Sequence, residues 1–174
     1  HIPEDRHRDG MVLEMTVAEN IALQTYYKEP NSKNGILNYS VINAKARELM
    51  KEFDVRGAGE LIAGGELSGG NQQKAVIARE IDRDPELLIV SQPTRGLDVG
   101  AIEYIRKRII AERDKGKAVI VVSFELDEIL DMSDRIAVIY DGAIQGILDP
   151  AETNKQDLGI LMAGGQLNKE EANV

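Results

Sequence analysis

Residues 67–74 read LSGGNQQK and lie directly ahead of an apolar helical stretch. Gly69 and Gly70 let a ligand approach the backbone closely, and Ser68 adds a hydroxyl donor. The first turn of a helix presents unpaired backbone N–H groups and the positive end of the helix dipole. This junction therefore predicts a phosphate site, and the alternative is a glycine N-cap without a ligand.

A second informative segment follows a short apolar run. Residues 87–90 are apolar and few enough to form a buried strand, and residues 91–98 then read SQPTRGLD. Ser91 and Gln92 stand where this strand ends, and Asp98 closes the segment. Taken alone, the pattern also fits a strand followed by a proline turn.

Together these two segments resemble the ATP-binding cassette (ABC) ATPases, in the LSGGNQQK form of the signature motif found in sugar and nucleoside importers. In that family the strand end carries the Walker B acid and the catalytic glutamate. Ser91 and Gln92 occupy these two positions here. A hydroxyl is a poor anchor for Mg²⁺ and an amide cannot take a proton from water, so the resemblance implies degenerate catalytic positions.

Two further positions depart from the family pattern. Phe124 follows the predicted strand at residues 118–123. The family has a histidine at this position, and that histidine contacts the γ-phosphate. Phenylalanine offers phosphate no hydrogen bond. Residues 1–12 resemble the family's Q-loop in its Pro-Glu-Asp-Arg form, with Glu4 where many relatives have glutamine. The alternatives are a core aromatic residue for Phe124 and a charged surface turn around Glu4.

The resemblance implies a shared ATP site. Family members work as head-to-tail pairs, in which each ATP lies between one domain's P-loop and the other domain's signature. The expected nucleotide contacts of this chain are therefore Ser68, Gly69, Gly70, Asn71, Gln72, Asp98 and Glu4. ATP and Mg²⁺ are expected in the full assembly, without tight binding by this chain alone. No metal site is predicted, because the two histidines, His1 and His7, are not spaced like ligands.

The P-loop pattern G-x-x-x-x-G-K-[ST] has no match. From Gly65 the sixth position is Gly70, but Asn71 occupies the place of the lysine. Because the family's P-loop precedes the Q-loop, we expect the chain to be part of a longer polypeptide. In the family fold the P-loop strand lies between the strands that correspond to residues 118–123 and 135–140, so the resemblance implies that its absence leaves two apolar edges. We expect such edges to favour a homodimer, swapped strands or altered packing.

Alternating strands and helices predict an α/β domain with a largely parallel sheet. We expect residues 1–163 to form a partial ABC nucleotide-binding domain with a helical subdomain at about 14–66, and residues 164–174 to form a polar, frayed tail. Helices are predicted at residues 16–24, 99–114, 125–132 and 150–163. Another helix with an apolar stripe is predicted to begin at Ser40, and residues 30–35 are predicted to form a loop. The predicted strands cover residues 87–91, 118–123, 135–140 and 143–148, the last two joined by Asp141-Gly142.

Composition narrows the classes of function. A net charge of −9 argues against nucleic acid as the main partner, and the absence of cysteine excludes disulfides and thiolate metal sites. No apolar run approaches the roughly 18 residues of a membrane-spanning helix. The resemblance implies a cytoplasmic protein on the inner face of the cell membrane. Its implied partners are a P-loop-containing domain of the same polypeptide and membrane permease subunits.

The prediction is therefore an ATP-binding component of a sugar or nucleoside importer that supplies its signature in trans and is itself hydrolytically degenerate. Two alternatives remain. An autonomous nucleotide hydrolase would need other catalytic residues. A non-transport ABC relative acting in DNA repair or chromosome structure would be expected to have long heptad coiled coils or a basic surface.

Overall fold

The computed structural model describes residues 1–167, which fall into two compact units. The first unit covers His1–Val122, and the second begins at Ser123. No helix among the described residues is long and apolar enough to cross a lipid bilayer.

The first unit contains a small group of helices within the range predicted as a helical subdomain. Helix α1 covers Val17–Ala22 and starts at a capping box between Thr16 and Glu19. Helix α2 covers Tyr39–Glu52. The predicted apolar stripe of α2 is buried, and it consists of Ile42, Ala46, Leu49, Met50 and Phe53.

Two local predictions in this region were wrong. Asn38, not Ser40, caps α2, because the Asn38 side chain accepts a hydrogen bond from Val41 N at 3.3 Å. The predicted loop contains a short hairpin, β1 (Ser32–Lys33) with β2 (Ile36–Leu37). Asn34 and Gly35 have φ of 52° and 78°, and this left-handed turn brings the two short strands together.

Helix α3 covers Gly69–Asp82, so six of the eight residues of the predicted phosphate motif at 67–74 lie inside this helix and not ahead of it. Its packing residues Ala75, Val76, Ala78 and Ile81 are buried. A turn of π-helix at Arg6–Gly10 contacts α3, which brings the predicted Q-loop segment beside the signature.

A parallel strand pair completes the first unit. Strand β3 (Leu87–Ser91) pairs with β4 (Ala118–Val122), and α4 (Val99–Asp114) connects them. On the other side of β3, Ile2 forms a parallel bridge with Val90. Gly116, with φ of 88°, follows the end of α4.

These strands are less buried than the sequence suggests. Leu88 and Val90 are fully buried, whereas Leu87 is 47% exposed and Ile120 is 49% exposed. The prediction of buried strands was wrong for these outward-facing side chains, because only one face of the pair is well covered within residues 1–167.

The second unit is built on an antiparallel hairpin. It comprises α5 (Leu126–Met132), β5 (Ile136–Tyr140), β6 (Ala143–Leu148) and α6 (Lys155–Met162). Asp141 and Gly142 form the predicted turn, both with positive φ. The buried core consists of Ile136, Val138, Leu158 and Leu161.

Helix α6 begins later than predicted. It starts at Lys155 instead of Pro150, because Asn154 caps it and accepts from the backbone of Gln156 and Asp157 at 2.9 and 3.0 Å. Of the predicted tail, residues 168–174 lie outside the described part of the chain.

The α/β class is confirmed. Parallel pairing within residues 1–167 is confined to β3, β4 and the Ile2 bridge, and the two other ladders are antiparallel hairpins. The first unit thus presents the start of α3, the start of α4 and the turn at Arg6–Gly10 close together.

Candidate functional site

The N-terminus of α3 is open. Ser68 has the extended backbone of an N-cap residue, but its side chain makes no capping hydrogen bond. The carbonyl of Ser68 accepts from Gln72 N at 2.9 Å, which starts the helical ladder. The backbone N–H groups of Gly69, Gly70 and Asn71 therefore have no acceptor within residues 1–167. Such unpaired donors, aligned with the helix dipole, favour an anion.

A side-chain hydrogen bond sets the orientation of the Ser68 hydroxyl. Asn71 Nδ2 donates to Ser68 Oγ at 2.9 Å, and Asn71 Oδ1 accepts from Arg56 N at 2.8 Å. Because Ser68 Oγ is the acceptor in this bond, its own O–H hydrogen must point elsewhere. Ser68 is exposed, so this hydrogen is available to a ligand at the same helix end.

Gly70 lies where the starts of α3 and α4 meet. A Cβ atom at this position would lie 3.1 Å from Ala101 Cβ and 3.4 Å from Asp98 Oδ2. Asp98 caps α4 by accepting from Ala101 N at 3.0 Å. A side chain at position 70 would therefore require the Ala101 side chain to move by a few tenths of an ångström.

A cleft of ≈ 320 Å³ lies beside this contact. Four of the predicted contacts line it together: Ser68, Gly70, Asn71 and Asp98. The other lining residues are Asp54, Arg56, Lys74, Gly100, Ala101 and Tyr104.

The charges of this cleft are largely paired with one another. Lys74 Nζ lies 2.8 Å from Asp54 Oδ2 and 4.5 Å from the centre of the Tyr104 ring. Lys74, followed by Arg56, lowers the pKa of Asp54 to about 2. Lys74 thus links α3 to the segment that follows α2, and this pair could not be predicted from local sequence because its two residues are twenty positions apart in the chain.

Gly69 and Gln72, unlike the four residues named above, are not among the residues that line this cleft. Gly69 contacts the Arg6 side chain. Gln72 is buried, and its Nε2 donates to Gly64 O at 3.1 Å while its Oε1 lies 2.8 Å from His7 Nε2. Gln72 therefore connects α3 to the turn at Arg6–Gly10 and does not line the cleft.

The strand end and the predicted Q-loop residue form a separate region. Glu4 forms an ion pair with Arg95, and Glu4 and Ser91 both line a second cleft of ≈ 420 Å³. Ser91 N donates to Ile2 O at 3.0 Å. Gln92 is buried with φ of 47°, and its backbone N donates to Val122 O at 2.8 Å.

Phe124 belongs to the second unit and is 72% exposed. The alternative interpretation of Phe124 as a core aromatic residue was therefore wrong. The next turn begins with Glu125 N donating to Ser123 Oγ at 3.0 Å.

The sequence of the chain is similar to those of several import ATP-binding proteins. No protein-family model matches the chain. It is 75% identical over 169 residues to the nucleoside import ATP-binding protein NupA of Lactococcus lactis subsp. cremoris, covering 97% of this chain and 33% of that protein. It is 57% identical to the guanosine import ATP-binding protein NupO of Bacillus subtilis, covering 94% and 32%. It is 41% identical to a ribose import ATP-binding protein RbsA of Bacillus cereus, covering 95% and 33%.

A solved structure also resembles the chain. This is the dimeric, post-hydrolysis state of the ATP-binding cassette MJ0796 bound to ADP and phosphate, with a TM-score of 0.66 and 25% sequence identity. The match covers 80% of this chain and 59% of that one. The resemblance to importer ATP-binding subunits inferred from the motifs is confirmed. The chain spans about a third of the length of the curated relatives it matches.

Proposed function

We propose that this chain, a homologue of nucleoside- and sugar-import ATP-binding proteins, supplies the signature motif to an ATP molecule held by a second nucleotide-binding domain. The observation that carries this proposal is the uncapped start of α3 beside the oriented hydroxyl of Ser68. These groups are neutral hydrogen-bond donors at one helix end, which suits the terminal phosphate of a nucleotide.

The residues at this helix start fit a phosphate group. Gly69 and Gly70 add no side chain between a ligand and the backbone N–H groups, and Ser68 contributes a hydroxyl donor. ATP supplies the phosphoanhydride bond whose hydrolysis drives transport. The role of this chain is to donate hydrogen bonds to the terminal phosphate and to exclude water from one side of it.

The end of β3 does not fit a hydrolytic centre of its own. Ser91 and Gln92 place a hydroxyl and an amide where Mg²⁺ coordination and proton abstraction need carboxylates. The carboxylate of Glu4 is paired with Arg95. We therefore propose an asymmetric pair, in which this half completes the other domain's ATP site while its own site is catalytically silent.

The partner domain is proposed to belong to the same polypeptide. The curated relatives are about three times as long as the stretch matched here, which leaves room for a domain that carries a P-loop. The dimeric state of the solved cassettes supports such a pairing. By analogy with the relatives' names, the imported solute is a nucleoside or a simple sugar. The assembly would act with permease subunits at the inner face of the cell membrane.

The test is ATP turnover in the full-length protein that carries this segment. Gly70→Asp would place a side chain and a negative charge between Asp98 and the bound phosphate. We expect turnover to fall by about 100-fold, which corresponds to roughly 3 kcal/mol. Gly159→Asp is the matched control, because Gly159 is exposed in α6 with open space around it. Equal turnover in both variants would contradict the proposal.

A further inference from the structure

Three polar side chains form a stripe along the start of α3. Ser68, Asn71 and Lys74 follow one another at intervals of three residues, so they lie on one side of the helix. The segment that follows α2 runs along this side. Asn71 Oδ1 accepts from Arg56 N at 2.8 Å. Lys74 Nζ donates to Asp54 Oδ2 at 2.8 Å and to Asp54 O at 3.0 Å, so both ends of this short segment are bonded to α3.

Asp54 has a backbone conformation that favours glycine. It is the first residue after the C-cap of α2, and its φ is 49°. Val55 N donates to Met50 O at 2.8 Å, as is typical of a helix that ends at a left-handed residue. Glycine adopts this conformation without steric cost. What the aspartate adds is a carboxylate with both oxygens bonded, Oδ2 to Lys74 and Oδ1 to Arg56 Nε at 3.0 Å.

The same segment determines which way the Asn71 amide faces. Arg56 N is a donor, so only the oxygen of the amide can face it, and the amide nitrogen is turned toward Ser68 Oγ. Without Arg56 N in this place, the amide would be free to turn over, and Asn71 Oδ1 would then accept from the Ser68 hydroxyl. That bond would withdraw the hydroxyl hydrogen from a ligand. The position of Arg56 N therefore decides the direction of the Ser68 hydroxyl.

We propose that Asp54 and Lys74 are positioning residues for the hydroxyl of Ser68. The Lys74 side chain is only 10% exposed and its Nζ lies over the Tyr104 ring, so it is a fixed anchor for the carboxylate. The ion pair holds the segment after α2, the segment orients Asn71, and Asn71 directs the hydroxyl toward the terminal phosphate. This inference rests on the proposed function, because the direction of the hydroxyl matters only when a nucleotide is bound.

The test is a double-mutant cycle on ATP turnover by the full-length protein that carries this segment. Asp54→Gly keeps the left-handed helix end and removes the carboxylate, and Lys74→Met removes the ammonium group. We expect each to lower kcat about fivefold and to leave the KM for ATP within about twofold, because one hydrogen bond made in the reacting state is lost. Ser68→Ala should lower kcat by at least about the same factor.

The Ser68→Ala background provides the readout that a merely structural role would not change. It has no hydroxyl to orient, so Asp54→Gly or Lys74→Met should lower its kcat by less than about twofold. Equal losses in the Ser68 and Ser68→Ala backgrounds would overturn the positioning role. A kcat equal to that of the wild type in both Asp54→Gly and Lys74→Met would overturn it as well.

Lys45→Met is the matched control. Lys45 Nζ lies 2.8 Å from Asp82 Oδ1, so this ion pair also links α3 to the α2 region, but at the other end of α3. Its kcat should stay within about twofold of the parent protein in both backgrounds. A loss in Lys45→Met equal to that in Lys74→Met would show that any ion pair between these helices has the same effect, which contradicts the proposal.

Gly70→Asp separates this inference from the proposed function. If Gly70→Asp lowers turnover while the effects of Asp54→Gly and Ser68→Ala multiply, the signature role stands and the positioning role is wrong. If neither Gly70→Asp nor Ser68→Ala lowers turnover, the proposed function is wrong and the positioning role is wrong with it. A loss in Gly70→Asp together with an effect of Asp54→Gly that disappears in Ser68→Ala supports both.

Discussion

Asn71 Nδ2 donates a hydrogen bond to Ser68 Oγ across 2.9 Å. Asn71 Oδ1 is held in turn by Arg56 N at 2.8 Å, so the amide cannot rotate freely. The bond fixes Ser68 as an acceptor toward its own helix and directs its O–H hydrogen outward. Ser68, a good N-cap residue by type, makes no capping hydrogen bond to the backbone of α3.

The hydrogen bond from Asn71 to Ser68 predicts that a substitution at position 71 lowers ATP turnover when the new side chain cannot donate a hydrogen bond. In Asn71→Asp the donor to Ser68 is replaced by an acceptor, so the Ser68 hydroxyl turns toward the new carboxylate and is withdrawn from phosphate. We expect ATP turnover of the full-length protein to fall about 10-fold or more. Asn71→Gln keeps an amide donor and should stay within about threefold. Similar losses in both variants would contradict the orientation of Ser68 described above.

The acid stability of the first unit should depend on Asp54. Its pKa is lowered from 3.8 to about 2, mainly by Lys74 and then by Arg56. A lowered pKa stabilises the fold above the unfolded-state value, and this contribution is lost as the pH falls from about 4 toward 2. The urea midpoints of wild type and Asp54→Asn should therefore differ at pH 6 and converge near pH 2.

A nuclear magnetic resonance titration provides the complementary measurement. Lys74→Met removes the largest cause of the shift, so the pKa of the Asp54 carboxyl should move from about 2 toward 3.8. An unchanged titration curve in Lys74→Met would show that the Lys74–Asp54 contact does not hold the cleft in solution.

The chain alone should bind ATP weakly. It contains no P-loop pattern, and a helix N-terminus contributes on the order of 1 kcal/mol toward an anion. We expect a dissociation constant for MgATP in the millimolar range or weaker, and no phosphate release. Calorimetry that detects micromolar binding, or steady hydrolysis by the pure chain, would contradict this expectation.

The exposed strand edges predict self-association. Within residues 1–167, β4 pairs only with β3, and β5 pairs only with β6. An open edge with exposed apolar side chains recruits another strand. Sedimentation should therefore detect a concentration-dependent dimer, and Ile120→Lys on β4, at a side chain that is 49% exposed, should reduce it. A wild-type chain that stays monomeric at high concentration would refute this prediction.

Motifs with local physical causes could be predicted from the sequence. The apolar stripe of α2 and the Asp141-Gly142 turn depend on spacing and on residue type within a few positions. Errors arose where neighbouring residues compete for one role. Asn38, and not Ser40, is the N-cap of α2. Asn154 is the N-cap of α6, so this helix begins five residues after Pro150.

The site was only partly predictable because its remaining contacts join segments that are distant in the chain. Arg6 and His7 reach α3 across more than sixty positions, and neither was predicted to support the signature. Gln72 was predicted to contact nucleotide, but its side chain is buried between Gly64 and His7. The proposed roles of Ser68, Gly70 and Asp98 fit the cleft that they share.

The most direct test of the central claim compares two variants of the full-length protein in one ATP turnover assay. Gly70→Asp alters the helix start that is proposed to complete the partner's ATP site, whereas Gln92→Ala alters the strand end that is proposed to be silent. We predict a loss of about 100-fold for Gly70→Asp and a change of less than about threefold for Gln92→Ala. Abolished hydrolysis in Gln92→Ala together with unchanged hydrolysis in Gly70→Asp would contradict the account.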